Sequence, residues 1–411
     1  MMLPELIGQT LSFCGIAIVG LFVHRLTRLD VTLASLLAGV AAGLAIPFLG
    51  LDIGLRAYHV RDLVFFVMLP LLIFAAAWHI KPPLLRRWLV PTVLLATVGV
   101  IICAAVTGAG LYFGIGHAQG FPWAAALLSG AILAATDPVA VVAKLQALRA
   151  NEELTTLFEG ESLFNDATAV VLFSLVLLWA QHEPGPASVA GHFVTVFLGG
   201  IATGLVAGLL ASIGVLFLGN PSAAVVILVF SAFGSFYLAE HSFHVSGIMA
   251  VMTAAIVARV CLGEQKNSML SGISATWDWL NLLMNTLLFA LMGLVITVDM
   301  FRDQWLAMLV AVAVATVARF AAVYGCAAMT QFSRRPIPAN WSLVLGWGGL
   351  RGAIAIALVL SIPVELPYWW TVQSLVFAVV LFTLFVQAPT VGKLIGRLDT
   401  SQPESRGASF P

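Results

Sequence analysis

The chain has 411 residues, 61% hydrophobic and 9% charged, against about 25% charged in a soluble globular protein. Its mean hydropathy of +1.04 points to lipid rather than water as the solvent. Nineteen Lys and Arg balance nineteen Asp and Glu, leaving no cationic surplus for nucleic acid. The four cysteines (Cys14, Cys103, Cys261, Cys326) lie in apolar stretches at scattered spacing, unlike a disulfide framework or a zinc site.

Apolar runs of about twenty residues predict an all-α membrane protein with about thirteen transmembrane helices. They lie at roughly 5–26, 29–49, 60–80, 88–115, 121–147, 157–181, 188–218, 222–240, 244–262, 277–298, 304–332, 338–363 and 368–396. The first has no small-residue cleavage site and is taken as a spanning helix, not a signal peptide. Trp78, Trp88, Trp123, Trp179, Trp277, Trp305, Trp341 and the run Tyr368, Trp369, Trp370 fall near helix ends, as an interfacial belt would. Most loop cations, among them Arg25, Arg28, Lys81, Arg86, Arg87, Lys144, Arg149, Arg335 and Arg397, lie on one side, and Arg56, Arg61 and Arg302 on the other. This bias predicts a multi-pass inner (plasma) membrane protein with its N-terminus outside and its C-terminus in the cytoplasm. A single transmembrane domain then covers roughly 1–398, followed by a short tail at about 399–411.

Thirteen segments divide into six, a linker at about 188–218, and six more over about 222–396, the second set inverted relative to the first. The fifth carries Pro138 and the twelfth carries Gly346, Gly348, Gly349 and Gly352. Backbone-breaking residues at matching positions predict crossed, discontinuous fifth and twelfth helices near mid-membrane.

A carboxylate at the bilayer centre costs about 2.5–3.5 kcal/mol or more, so each intramembrane ionisable group is a functional candidate. The candidates are Asp137 in the fifth segment, Glu161, Asn165 and Asp166 in the sixth, Arg319 in the eleventh and Arg351 in the twelfth. Glu161 and Asn165 are four residues apart, as are Ser162 and Asp166, so each pair stacks on one helix face. Pro138 frees preceding carbonyls such as that of Thr136. Asp137, Asp166, Ser162 and the Thr136 carbonyl together make a hard-oxygen cage suited to Na⁺ and ill suited to a soft metal. Two carboxylates about 5 Å apart repel by roughly 3 kcal/mol at an effective dielectric near 20, and either a proton or a cation relieves that repulsion. Structural readings stand beside this one: the aspartates pairing with Arg319 or Arg351, Glu161 pairing with Arg351, and Asn165 joining helices by hydrogen bonds. The eight histidines (His24, His59, His79, His117, His182, His192, His241, His244) fall at helix ends and are taken as interfacial.

At these positions the sequence resembles the NhaP-type sodium/proton antiporters, relatives of the animal sodium/proton exchangers. The resemblance runs nearly end to end and rests on five stretches: Thr136 to Pro138, Glu161 to Asp166, His244 to Gly247, Phe289 to Leu294 and Trp347 to Gly352. It implies a cation held by Asp137, Asp166, Ser162 and the Thr136 main chain, with Glu161 and Arg351 as a supporting ion pair and Asn165 before Asp166 marking one-for-one, electroneutral exchange. It also implies a homodimer, Na⁺ and H⁺ as substrates and no cofactor. One position departs: where many relatives carry an acid in the third helix this chain has Ala75, which leaves Li⁺ or K⁺ transport open. The competing readings are a passive cation channel, which inverted interrupted halves do not suit, and an intramembrane aspartyl protease, which lacks its Gly-x-Gly-Asp run.

Overall fold

The computed structural model describes residues 3–48, 63–115, 121–182, 186–263, 267–333 and 335–398. Among these every regular element is helical. In chain order they are α1 (Leu3–Thr27), α2 (Val31–Phe48), α3 (Val64–His79), a short α4 (Pro82–Arg87), α5 (Leu89–Gly114), α6 (Trp123–Ala134), α7 (Val139–Ala147) and α8 (Glu152–His182). There follow α9 (Pro186–Leu218), α10 (Pro221–Ser242), α11 (Gly247–Leu262), α12 (Asn267–Val295), α13 (Val298–Thr330), α14 (Ala339–Trp347), α15 (Ala353–Leu360) and α16 (Trp369–Arg397). Counting Trp123–Ala147 across its break, eight helices among the described residues are long and apolar enough to cross a membrane, and shorter apolar helices accompany them. In hydrocarbon the backbone has no water to bond, so helices that satisfy it internally are the expected solution.

The helix starts are set by specific caps. Asn220 accepts from the Ser222 and Ala223 amides at 2.9 and 3.4 Å, with Pro221 at the first helical position of α10. The segment predicted at 157–181 begins earlier, at Glu152, because Asn151 accepts the Glu153 amide at 2.7 Å and two glutamates complement the positive helix end. Those glutamates are themselves held, Glu152 by Lys81 and Glu153 by Arg87 at 2.6 Å. The segment predicted at 277–298 also starts earlier, at Asn267, since the polar Asn267, Ser268, Ser271, Ser274 and Thr276 in the first turns of α12 depress a hydropathy window. Four of the expected belt tryptophans, Trp78, Trp88, Trp277 and Trp341, are buried in the core instead. Trp277 is fully buried, stacked on Phe74 at 4.3 Å, and Trp78 is buried with its indole N–H donating to Ser274 Oγ at 3.0 Å.

Lipid tails are as apolar as leucine, so helices associate through close backbone approach rather than through hydrophobic gain. Gly200, Gly204 and Gly208 recur at a spacing of four, on one face of α9. A Cβ at these positions would lie 2.5, 2.2 and 2.7 Å from the carbonyl oxygens of Ser246, Ala250 and Ala254 on or beside α11. Gly39 of α2 and Gly293 of α12 make the same contact reciprocally, at 2.1 Å from Ala290 O and 2.3 Å from Leu36 O. At the centre, every residue of α15 is buried.

Two helices stop and restart inside the bundle. The chain leaves helical geometry between α6 and α7, extended at Ala135 and with Pro138 opening the new helix, and a second non-helical stretch runs from Gly348 to Gly352 between α14 and α15. The interruptions meet: the Asp137 amide donates to the Leu350 carbonyl at 2.8 Å.

Gly204→Ala is expected to destabilise the protein by about 1–3 kcal/mol through overpacking. Gly15→Ala, whose Cβ meets nothing within 4 Å, is expected to be neutral or to stabilise slightly through helix propensity. Thermal unfolding of the two variants in the same detergent, read by size-exclusion fluorescence, checks the contrast.

Candidate cation site

Breaking a helix inside a protein leaves carbonyls bare at its C-terminal end and amides bare at the N-terminal end of the next. The two breaks here place four such ends together, and the ionisable side chains sort by sign among them. Asp137 lies at the positive ends: its Oδ1 accepts the Val139 amide at the start of α7 at 3.0 Å, and its carboxylate also accepts the Ala353 amide at the start of α15. The guanidinium groups lie at the negative ends. Arg351 donates to the carbonyls of Ala134 and Ala135 at the end of α6, both at 2.9 Å, and Arg319 donates to the Leu345 carbonyl of α14 at 3.1 and 3.2 Å. Two glycines make room. A Cβ on Gly352 would lie 2.0 Å from Asp137 Oδ2, and one on Gly349 would lie 2.4 Å from Arg319 Nε.

Arg319 also settles the partner of Glu161. It holds that carboxylate with two bonds, Nη1 to Oε1 at 2.8 Å and Nη2 to Oε2 at 3.0 Å, with both side chains buried. The expected Glu161–Arg351 pair is therefore corrected. The missing side chain at Gly349 lets Arg319 reach from α13 to α8, while Arg351 spends its donors on the end of α6 and approaches Cys103 Sγ at 3.7 Å. Asn165 joins this network by donating Nδ2 to Glu161 Oε1 at 2.8 Å and to Thr136 Oγ1 at 3.3 Å.

The four residues expected to hold a cation are brought together. Ser162 Oγ donates to the Thr136 carbonyl, the Thr136 amide bonds the Asp166 carboxylate, and Thr136, Asp137, Ser162 and Asp166 line one cavity of about 390 Å³. No Lys or Arg among the described residues is hydrogen-bonded to Asp137 or Asp166, in contrast to Glu161. Asp166 Oδ1 and Asn165 Oδ1 are shut off from solvent and have no hydrogen-bond donor, a state that an uncompensated buried oxygen does not tolerate cheaply. A bare monovalent cation is the kind of group such oxygens satisfy.

A profile of the family described as a transmembrane sodium/hydrogen exchanger matches residues 11–395. The chain belongs to the sodium/hydrogen exchanger family. It is 35% identical over 345 residues to the Na⁺/H⁺ antiporter ApNhaP of Aphanothece halophytica, covering 82% of this chain and 65% of that one. It is 31% identical over 408 residues to the Na⁺/H⁺ antiporter NhaH of Halobacillus aidingensis, covering 95% and 97%. It thus spans somewhat less than two thirds of ApNhaP and nearly all of NhaH. The fold matches that of the sodium proton antiporter MjNhaP1 from Methanocaldococcus jannaschii, with a TM-score of 0.83 at 20% identity, over 97% of this chain and all of that one. The resemblance to NhaP-type members of the exchanger family is thereby shown.

Within this exchanger fold the cavity extends beyond the residues expected from sequence. Its walls include Ala75 and His79 of α3, Glu159 of α8, and Asp278, Asn281 and Asn285 of α12. His79 Nε2 and Asp278 Oδ1 are 3.0 Å apart, with side chains 40% and 68% exposed, and mark the mouth. A signal for Glu159 was present in the sequence: it stands three residues before Ser162 and seven before Asp166, on the same helix face.

Arg319→Leu is expected to cost about 3–5 kcal/mol by leaving Glu161 buried without its partner. Glu161→Gln combined with Arg319→Leu should recover part of that loss. Thermal unfolding of the single and double variants reads the difference, and equal stability in all of them would contradict the pairing.

Proposed function

We propose that this chain is a secondary active antiporter that exchanges a monovalent cation, Na⁺ by preference, for H⁺ by alternating access. The single observation that carries the reading is the joint placement of Asp137 and Asp166 at the inner end of one cavity, with Asp166 Oδ1 buried and unbonded. Asp137, Asp166, the Ser162 hydroxyl and the Thr136 main chain hold the ion. Glu161, Asn165, Arg319 and Arg351 hold those groups in place. A cation entering the cage displaces the proton that otherwise relieves the repulsion of the two carboxylates, and a proton arriving expels the cation. Competition for one set of oxygens couples the two flows without a separate proton gate.

The relatives named Na⁺/H⁺ antiporters support sodium as the cation, while Ala75 keeps Li⁺ and K⁺ in the comparison. Exchange is electroneutral, one proton per cation: Glu161 is neutralised by Arg319 and residue 165 is a neutral Asn, leaving two carboxylates to carry the exchange. Pairing α6 with α7 and α14 with α15 as single interrupted crossings gives thirteen passes, two inverted sets of six with α9 as linker. The protein acts as a homodimer in the cell inner membrane, N-terminus outside, in pH and sodium homeostasis. With that orientation the mouth at His79 and Asp278 faces the cytoplasm.

The test uses proteoliposomes loaded with a pH dye. Adding Na⁺ to vesicles with a preformed acid-inside gradient is expected to dissipate it. Asp166→Asn and Asp137→Asn should each reduce the signal to that of empty vesicles. The rate should not change when valinomycin and K⁺ clamp the membrane potential. A passive channel would answer the clamp and move no protons, and a protease would give no ion-dependent signal.

A further inference from the structure

We propose that Glu159 is an access-path carboxylate that concentrates the incoming cation and hands it to the Asp137 and Asp166 cage, setting apparent affinity rather than turnover; this rests on the antiport reading above. Glu159, Ser162 and Asp166 all line the cavity from one face of α8. At 1.5 Å rise per residue, Glu159 stands about 4.5 Å from Ser162 and about 10.5 Å from Asp166 along the helix axis, toward the mouth. A cation travelling from His79 and Asp278 to the cage passes it.

The other acids near this route are engaged. Asp278 is bound to His79, Glu152 to Lys81, Glu153 to Arg87 and Glu161 to Arg319. Glu159 is half-buried and forms no ion pair or hydrogen bond with any described residue. The α3 wall of the cavity offers no substitute acid: Leu72, Ile73, Ala75, Ala76 and His79 line it. Four carboxylates line the cavity among the described residues, and Glu159 is the one between the mouth and the cage. An acid kept half-buried without a cationic partner is costly as mere structure. On a pathway, its field raises the local cation concentration, and the low-dielectric walls focus that field.

The size of the effect follows from Coulomb's law. A unit charge about 10 Å from the cage, at an effective dielectric between about 20 and 80, changes cation occupancy by roughly 2- to 16-fold. The charged or titratable groups around Glu159 are Lys81 and Glu152 at the α3 and α8 ends, His79 and Asp278 at the mouth, and the Asp137 and Asp166 pair within. All are retained in the variants below.

The experiment measures Na⁺-driven exchange in proteoliposomes over a Na⁺ titration for the wild type, Glu159→Gln and Glu159→Asp, at low and high choline chloride. Glu159→Gln is expected to raise the apparent KM for Na⁺ about 2- to 16-fold with maximal rate within about twofold of wild type. Glu159→Asp should restore most of the affinity, and the difference between Gln and wild type should shrink as salt rises. An active wild type with an unmoved KM in Glu159→Gln overturns the inference alone. So does a collapse of maximal rate in both variants at unchanged KM, which would mark a packing role. A wild type that exchanges no ions overturns the antiport reading and this inference with it.

Discussion

The site depends on the contact between the two helix interruptions, where the Asp137 amide bonds the Leu350 carbonyl at 2.8 Å. Two broken helices crossing inside a bundle create four half-helix ends, and each end carries a partial charge that lipid cannot screen. The protein meets the two negative ends with Arg351 and Arg319 and the two positive ends with the Asp137 carboxylate. A carboxylate is thus held at the centre of a membrane protein without a guanidinium or ammonium bonded to it. That leaves its charge free to be met by something that comes and goes.

The division of labour among the acids follows. Glu161 is one turn from Asn165 and only one residue from Ser162, yet both its oxygens are bonded to Arg319, which ties α8 to α13 and, through the Leu345 carbonyl, to α14. Asp166 lies on the neighbouring face, toward the cavity, with one oxygen unbonded. A shift of one residue on a helix turns a side chain by about 100°, so the same short stretch supplies both a buried salt bridge and the carboxylate proposed to hold the ion. Asn165 ties the two together through Glu161 and Thr136.

Most of this was legible from residues whose presence in lipid needs an explanation. Composition and twenty-residue apolar runs placed the helical elements, and the acids at 137, 161 and 166 stood out because charge is costly there. Pro138 and the glycines at 348, 349 and 352 marked both breaks. What stayed illegible depended on distance between segments far apart in the chain. Arg351 was the expected partner of Glu161, and the space left by Gly349, which lets Arg319 reach that carboxylate instead, depends on the packing of distant segments. The early start of α8 was missed because a hydropathy window discounts Glu152 and Glu153, although Asn151 capping them was visible. Trp78 and Trp277 were placed at the interface on position alone, whereas their stacking around Phe74 is a tertiary fact. The polar residues of α12 that line the cavity carried no motif to announce them.

If a proton and a metal cation exclude one another at Asp137 and Asp166, adding Na⁺ to the purified protein in weakly buffered detergent solution releases protons as the cation binds. About one proton is expected per cation bound, with cation affinity falling about tenfold per pH unit once the site is mostly protonated. Saturable Na⁺ binding with no proton released at any pH would contradict that exclusion.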